Sequence, residues 1–305
     1  MERSGALKKF LLSLIVLVGL GGILAGCQST TKATPTTNGK IKIIASLDFY
    51  GQTAKQVAGK YGQVTSVINR PGIDPHDFEA TVQTAKVASK ASLIIYNGLG
   101  YDDWMSKLIV NKANNAKVIQ VGTTIAGQKD GANEHVWYDP TTMPKLAQKI
   151  ALELAKIQPE HKQYFLKQAE AYQASLKPLT TKIAQLKQQA HGQKVAVSEP
   201  VFDYSLAAMG YQVSNAHFAK AIEEGADPSP KDIQQMQTAI KKRKIAFFVE
   251  NTQSDSNIVD NMVKLAQQSG VPVLKVTETL PAHQTYESWM LAQYQQLAKI
   301  QAKSN

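Results

Sequence analysis

Residues 41–47 read IKIIASL. Apolar side chains occupy both parities of this run, so a strand here buries both its faces, as strands of helix-covered parallel sheets do. The same texture returns in SLIIY at 92–96, KVAVS at 194–198 and IAFFV at 245–249. Working outward, candidate strands fall at 41–47, 64–68, 92–96 and 117–121, and again at 193–198, 211–214, 244–250 and 271–276. Helical patterns separate them, for example at 81–89 and 255–268. This alternation predicts an α/β protein of two lobes, each with a roughly four-stranded, mainly parallel sheet flanked by helices.

The two strand sets are separated by a long helical stretch. Residues 143–157 are amphipathic, Pro159 suits the first position of a new helix, and 160–190 is dense in Ala, Leu, Lys and Gln. Pro178 should kink it. About 30 helical residues span roughly 45 Å, enough for a semi-rigid strut between lobes that limits them to small movements. The expected organisation is residues 40–142 as N-terminal lobe, 143–191 as helical linker with the long connecting helix, and 192–305 as C-terminal lobe.

The N-terminus reads as an address. Arg3, Lys8 and Lys9 precede an apolar run at 10–24 that is too short for a permanent membrane span. Leu24-Ala25-Gly26-Cys27 follows, small residues before a cysteine, as a bacterial lipoprotein signal requires. Residues 1–26 are therefore expected to be a signal peptide, Cys27 the lipidated first mature residue, and 27–39 a flexible tether. The protein would then sit on the extracytoplasmic face of the cell membrane.

The composition excludes several classes. At 43% hydrophobic the chain is not disordered. Its single cysteine excludes a disulfide framework, a zinc ribbon and an iron–sulfur cluster. The net charge of +10 loses +2 with the signal peptide. On a membrane-anchored protein the remainder suits lipid headgroups or wall polymers. No basic stripe is interleaved with aromatics, so nucleic acid is not an expected partner. The GxSxG, HExxH, GxxxxGK[ST] and strand-following GxGxxG signatures are missing from the sequence, which argues against an enzyme.

Six histidines remain to be placed. His161 and His191 lie among Lys and Gln at the ends of the long helical stretch and read as surface residues; His217 reads as local packing. His76 and His135 lie beyond the carboxyl ends of candidate strands, as does Glu199; His283 and Gln284 lie in the loop after the last strand. Ligands of open α/β sheets bind at those strand ends. Two imidazoles and a carboxylate suit Zn²⁺, Mn²⁺ or Fe²⁺, although separate structural roles for the three residues fit the spacing too.

These segments resemble the manganese/zinc-specific solute-binding lipoproteins of ABC transporters. DPHDFEAT at 74–81, ASLIIYNGLGYDDWMSKL at 91–108, EHVWYDP at 134–140, VAVSEPVFDYSLAAMGYQV at 195–213, DPSPKDI at 227–233 and IAFFVENTQSD at 245–255 carry the likeness in order. The resemblance implies two lobes joined by one long helix and one divalent ion as cargo between the lobes; the chain itself is expected to be a monomer. It also implies a membrane permease as partner. It makes His76, His135 and Glu199 the ligands. The family's fourth ligand is usually Asp, and Gln284 falls at its place in HQTYESWM. The Gln284 carbonyl oxygen, neighbouring His283, water, or an acidic residue elsewhere all stand as alternatives. Glu134 replaces a usual Pro and should alter loop rigidity more than ligation. A carboxylate third ligand favours Mn²⁺ slightly over Zn²⁺ as cargo, although Zn²⁺ should bind more tightly in vitro. With the imidazoles as ligands, affinity should fall as pH drops through about 6.5. Asp139 is either a carboxylate behind a ligand histidine or a helix cap, Glu250 either lines the cleft or is paired structurally, and Trp104, Trp137 and Trp289 read as packing residues. Two rival readings are a surface metallohydrolase with a His/His/Glu site and a surface adhesin in cell adhesion without transport.

Overall fold

A computed structural model describes residues 39–304. The expected signal peptide, Cys27 and most of the tether lie outside them. In the first lobe, β1 (Ile41–Leu47), α1 (Asp48–Ala58), β2 (Gly62–Ile68), α2 (Val82–Ala88), β3 (Leu93–Tyr96), α3 (Asp103–Leu108) and β4 (Lys117–Gln120) alternate. Its strands lie in the order β2-β1-β3-β4, with every pairing parallel. β1 and β3 are central, and all four residues of β3 are buried, which is why IKIIASL and LIIY carry no polar face.

Three helices follow: α4 (Thr142–Ile157), α5 (Lys162–Ser175) and α6 (Lys177–Ala190). The expected single helix over 160–190 is present but bent: it breaks at Leu176, and Pro178 sits in the first turn of α6, where its missing N–H costs least. α6 ends at His191, which adopts the left-handed conformation and turns the chain toward the second sheet.

The second lobe contains β5 (Lys194–Val197), α7 (Asp203–Met209), β6 (Gln212–Val213), α8 (Ala216–Glu223), α9 (Pro230–Lys241), β7 (Phe248–Asn251), α10 (Asn257–Gln268), β8 (Val273–Val276) and α11 (Tyr286–Ser304). Its order, β6-β5-β7-β8, is again parallel throughout and repeats the first sheet's. Helix starts follow their caps: Ser229 Oγ accepts from Asp232 N ahead of Pro230, and Ser256 Oγ from Val259 N. Several second-lobe strands are shorter than the apolar runs suggest; β7 begins at Phe248, although the run starts at Ile245.

Asn38–Asn305 forms one compact unit, and the two sheets share one continuous core. Its centre is aromatic. Trp137 lies 5.0 Å from Phe49, Tyr138 lies 5.2 Å from Phe202, and Trp289 on α11 lies 5.6 Å from Tyr138 and 5.8 Å from Phe49, centroid to centroid. Hydrogen bonds lock this seam: Tyr286 Oη donates to the Trp137 carbonyl at 2.6 Å and Ser205 Oγ to the Tyr138 carbonyl at 2.7 Å. A second, smaller cluster under α8, α9 and α10 belongs to the second lobe alone.

Replacing Trp289, fully buried in the shared core, with Ala should cost about 3–5 kcal/mol. Urea unfolding followed by fluorescence and by far-UV circular dichroism should still show coincident transitions. A separate transition for one lobe would show that the seam does not join the two sheets cooperatively.

Candidate metal centre

The chemistry-bearing side chains gather where the strands of both sheets end. In the second lobe Glu199 stands two residues beyond β5, Glu278 two residues beyond β8, and Asn251 closes β7 between them. Asn251 Nδ2 donates to Glu199 Oε2 at 2.5 Å and reaches Glu278 Oε2 at 3.3 Å, holding one oxygen of each carboxylate. In the first lobe His76 follows β2 and His135 follows β4. Together with Glu223 at the end of α8, His76, Glu199, Asn251 and Glu278 line a cleft of about 570 Å³.

Each histidine is held from behind. Trp104 Nε1 donates to the Pro75 carbonyl, and the Tyr101 ring meets the His76 ring edge-on at 5.0 Å. Gly72 N bonds Thr279 Oγ1 at 3.1 Å, tying the His76 loop to the Glu278 loop. Asn133 Oδ1 accepts from the His135 backbone N–H, and His135 Nδ1 lies 2.9 Å from the same oxygen. That contact turns Nε2 into the cleft. Asn133 Nδ2 donates to the Pro200 carbonyl and Tyr204 Oη to the Asn133 carbonyl, so the support of His135 is itself an inter-lobe link. Asn97, at the end of β3, donates to the Glu134 carbonyl.

Around the imidazoles stand carboxylates. Glu223 Oε1 is 3.5 Å from His135 Nε2 and 3.7 Å from His76 Nε2; Glu134 Oε1 is 3.7 Å from His76 Nε2, and Glu278 Oε1 is 3.9 Å from His135 Nε2. These are ion-pair distances beyond hydrogen-bond reach. His135 is fully buried, yet Nε2 has no hydrogen-bond partner among the described residues, nor does Glu223 Oε1. Burial alone pulls His135 down, but Glu223, Glu278 and Glu134 carry it up to about 9. For His76, too, burial is outweighed by Glu223, Glu278 and Glu134, and the group is raised. Burial pushes Glu199 up to about 6 against its hydrogen bonds to Ser254 and Asn251. It pushes nearby Asp203 up to about 6 against the pull of His135. Glu278 is buried too, but hydrogen bonds and the His135 charge hold it low. Concentrated carboxylate charge around two imidazoles in a half-closed cleft is an environment that attracts a cation.

The structure puts His76 and Glu199 in the lining of one cleft, and His135 Nε2 lies 3.5 Å from Glu223, which lines it too. It places Gln284 elsewhere. By that point the chain has left the strand end and entered the turn before α11, where the Gln284 carbonyl accepts from Gln52 Nε2 and its side chain borders a different pocket with Trp289 and Gln293. His283 is exposed in the same turn, with φ of 62°. The acidic group that does reach the cleft from this loop is Glu278, six residues earlier. Its signal in the sequence was positional: it follows β8 as Glu199 follows β5. Glu223 and Asn251 had no such mark. Asp139 Oδ1 accepts from Thr141 N at 2.8 Å, a local turn just ahead of α4, whose N-cap is Thr141. Glu250 faces Lys275 across the β7–β8 pair at 3.9 Å. All three tryptophans are buried, and Trp104 in addition anchors the His76 loop.

Residues 43–300 match the family described as ZnuA, zinc-uptake complex component A, periplasmic. The chain belongs to this family. Among similar proteins, the manganese-binding lipoprotein MntA of Halalkalibacterium halodurans is 27% identical over 274 residues, covering 88% of each chain. The manganese ABC transporter substrate-binding lipoprotein PsaA of Streptococcus pneumoniae is 26% identical over 289 residues, covering 90% of this chain and 88% of that one. Of solved structures, the periplasmic zinc-binding protein TroA from Treponema pallidum superposes with a TM-score of 0.72 at 21% identity, over 86% of this chain and 99% of that one. The FpvC protein of Pseudomonas aeruginosa, in complex with Mn²⁺, gives 0.70 at 20% identity over 87% and 100%. These likenesses establish the two-lobe architecture of the ZnuA family for this chain.

The shifted groups set the pH dependence of the metal-free protein. His135 is raised in the fold, so its stabilisation is complete below about 6.5 and lost as pH rises through about 9. Glu199 and Asp203 are raised as well, so the cost of burying their charge is present above about 6 and relieved below it. Both effects point the same way. Melted without metal, the protein should be more stable near pH 6 than near pH 9, and excess divalent metal should stabilise it at the higher pH. A metal-free melting temperature that rises between those values would contradict the assignment.

Proposed function

We propose that this ZnuA-family chain captures one divalent metal ion in the cleft between its lobes and delivers it to the permease of an ABC importer. The observation that carries the reading is the buried, unpartnered His135 Nε2 facing Glu223 and Glu278. A neutral imidazole nitrogen held by a hydrogen bond on its other nitrogen is how proteins present a metal ligand. We assign His76, His135, Glu199 and Glu278 as the ligands of the loaded state, with Asn251 and Asn133 orienting them. Two nitrogens and two carboxylates suit Zn²⁺ and Mn²⁺ alike; the oxygen-rich surround favours Mn²⁺ as cargo, while Zn²⁺ binds more tightly where both compete freely. The names of MntA and PsaA, which specify manganese, agree with that choice.

The chain would act as a monomer tethered through Cys27 to the outer face of the membrane, where its role is binding and not catalysis. The seam of Trp137, Tyr138, Phe202 and Trp289 supports capture by local movement of the His76 and Glu278 loops instead of a wide hinge. Because the carboxylates keep His135 protonated to about 9, an incoming ion must displace that proton. Affinity should therefore fall with acidity from well above the 6.5 of a free imidazole, by about tenfold per pH unit for one proton released.

The test is metal content by mass spectrometry on the soluble chain from Gln28, stripped with chelator and offered Mn²⁺ and Zn²⁺ at several pH values. One ion per chain is expected. It should be lost in His76→Ala/His135→Ala, held more weakly in Glu278→Gln and retained in Gln284→Ala. Stoichiometric metal in the double-histidine variant, or none in the wild type, would overturn the reading.

A further inference from the structure

The cleft presents more donors than one ion needs, and they are graded by depth. His135 is fully buried, the Glu223 side chain is 9% exposed, Glu134 17% and His76 33%. Among the described residues, the ligand atoms of His76, Glu134 and Glu223 all lie within 4.8 Å of one another. This trio lacks His135, Glu199 and Glu278. Two of its members come from the first lobe, and Glu223 comes from the second. Donor atoms around one ion with bonds of about 2.0–2.2 Å sit roughly 3–4.5 Å apart. The 3.7 Å separations of His76 from Glu134 and from Glu223 meet that spacing without any movement. The trio is more than an acidic cluster. Glu223 Oε1, on a side chain more than nine-tenths buried, has no hydrogen-bond partner and points between the two imidazoles.

We infer that His76, Glu134 and Glu223 form an outer station at the mouth of the cleft. It takes a divalent cation first and passes it inward, with His76 retained as a ligand while Glu134 and Glu223 give way to His135, Glu199 and Glu278. Glu223 is the transfer group, since one oxygen already stands within 3.7 Å of both imidazole nitrogens. Glu134 belongs to the outer station alone and is its distinguishing ligand, not only a change in loop stiffness. Its neighbour His135 lies on the same short segment, so capture at Glu134 brings the ion beside the deepest ligand. No covalent step is involved; one set of donors replaces another around the ion.

The inference rests on the metal-binding reading above, and the experiment separates the two. Mn²⁺ and Zn²⁺ are each titrated calorimetrically into the wild type, into Glu199→Gln/Glu278→Gln, which lacks the inner carboxylates, and into the triple variant that adds Glu134→Gln. Folding is checked by circular dichroism, and Glu134→Asp in the same background serves as a conservative second variant. The double variant should still bind one ion, more weakly than the wild type. Glu134→Gln should weaken that residual binding by about tenfold or more, and Glu134→Asp should preserve part of it. Stopped-flow loading of the otherwise intact Glu134→Gln protein should be slowed, with final occupancy near one. Residual binding indifferent to Glu134, or no residual binding at all, overturns the outer station while leaving the inner site standing. A wild type that binds no metal overturns the parent reading instead.

Discussion

Everything in this molecule is organised by an aromatic seam between two parallel sheets. Trp137, Tyr138, Phe202, Tyr286 and Trp289 are buried where the sheets face one another, and main-chain carbonyls in the seam accept their hydroxyls or those of neighbours. Such close packing does not deform continuously. It fixes the distance between the carboxyl ends of the strands, and hence between the loops that carry His76, His135, Glu199 and Glu278. His135 sits directly before the seam: Val136, Trp137 and Tyr138 are all fully buried, so the imidazole is held by the core rather than by a free loop. His76 lies on a loop with exposed neighbours and is held there by Trp104 and Thr279.

The second organising fact is electrostatic. Glu134, Glu223 and Glu278 stand around two imidazoles, with Glu199 nearby on Asn251, and this concentration of carboxylates is relieved by a proton or a cation. Part of their repulsion is absorbed by protons, on His135 up to about 9 and on Glu199 up to about 6. On the proposed reading, metal loading is a proton-for-metal exchange at side chains already held by Asn133, Asn251 and Trp104. The cost of concentrating these charges is carried by the shared core, which supplies the stability that the cleft gives up.

Comparison with the sequence is instructive at particular residues. IKIIASL could be read as a doubly buried strand because its pattern leaves no polar face, and it is β1 from Ile41 to Leu47. The strut was legible through composition and its break through Pro178. His76, His135 and Glu199 were legible because they follow recognisable strands inside recognisable motifs. Gln284 was placed by motif context; the loop after β8 passes the strand end at Glu278 and has turned away before residue 284. Glu223 and Asn251 were not legible, because a glutamate ending an amphipathic helix and an asparagine ending a strand look the same whether or not they face a ligand.

The sequence by itself determined the periodicities, and with them two parallel α/β lobes, a kinked helical connection and two histidines at strand ends. Those depend on neighbours a few residues apart. Tertiary structure decided the rest: that the lobes share one core, that Asn133 ties His135 to the second lobe, and that three glutamates meet two imidazoles. These contacts join residues far apart along the chain, among them Tyr138 and Gln293 or Tyr101 and Glu278. No local pattern encodes such a pairing; it exists only once the seam has closed.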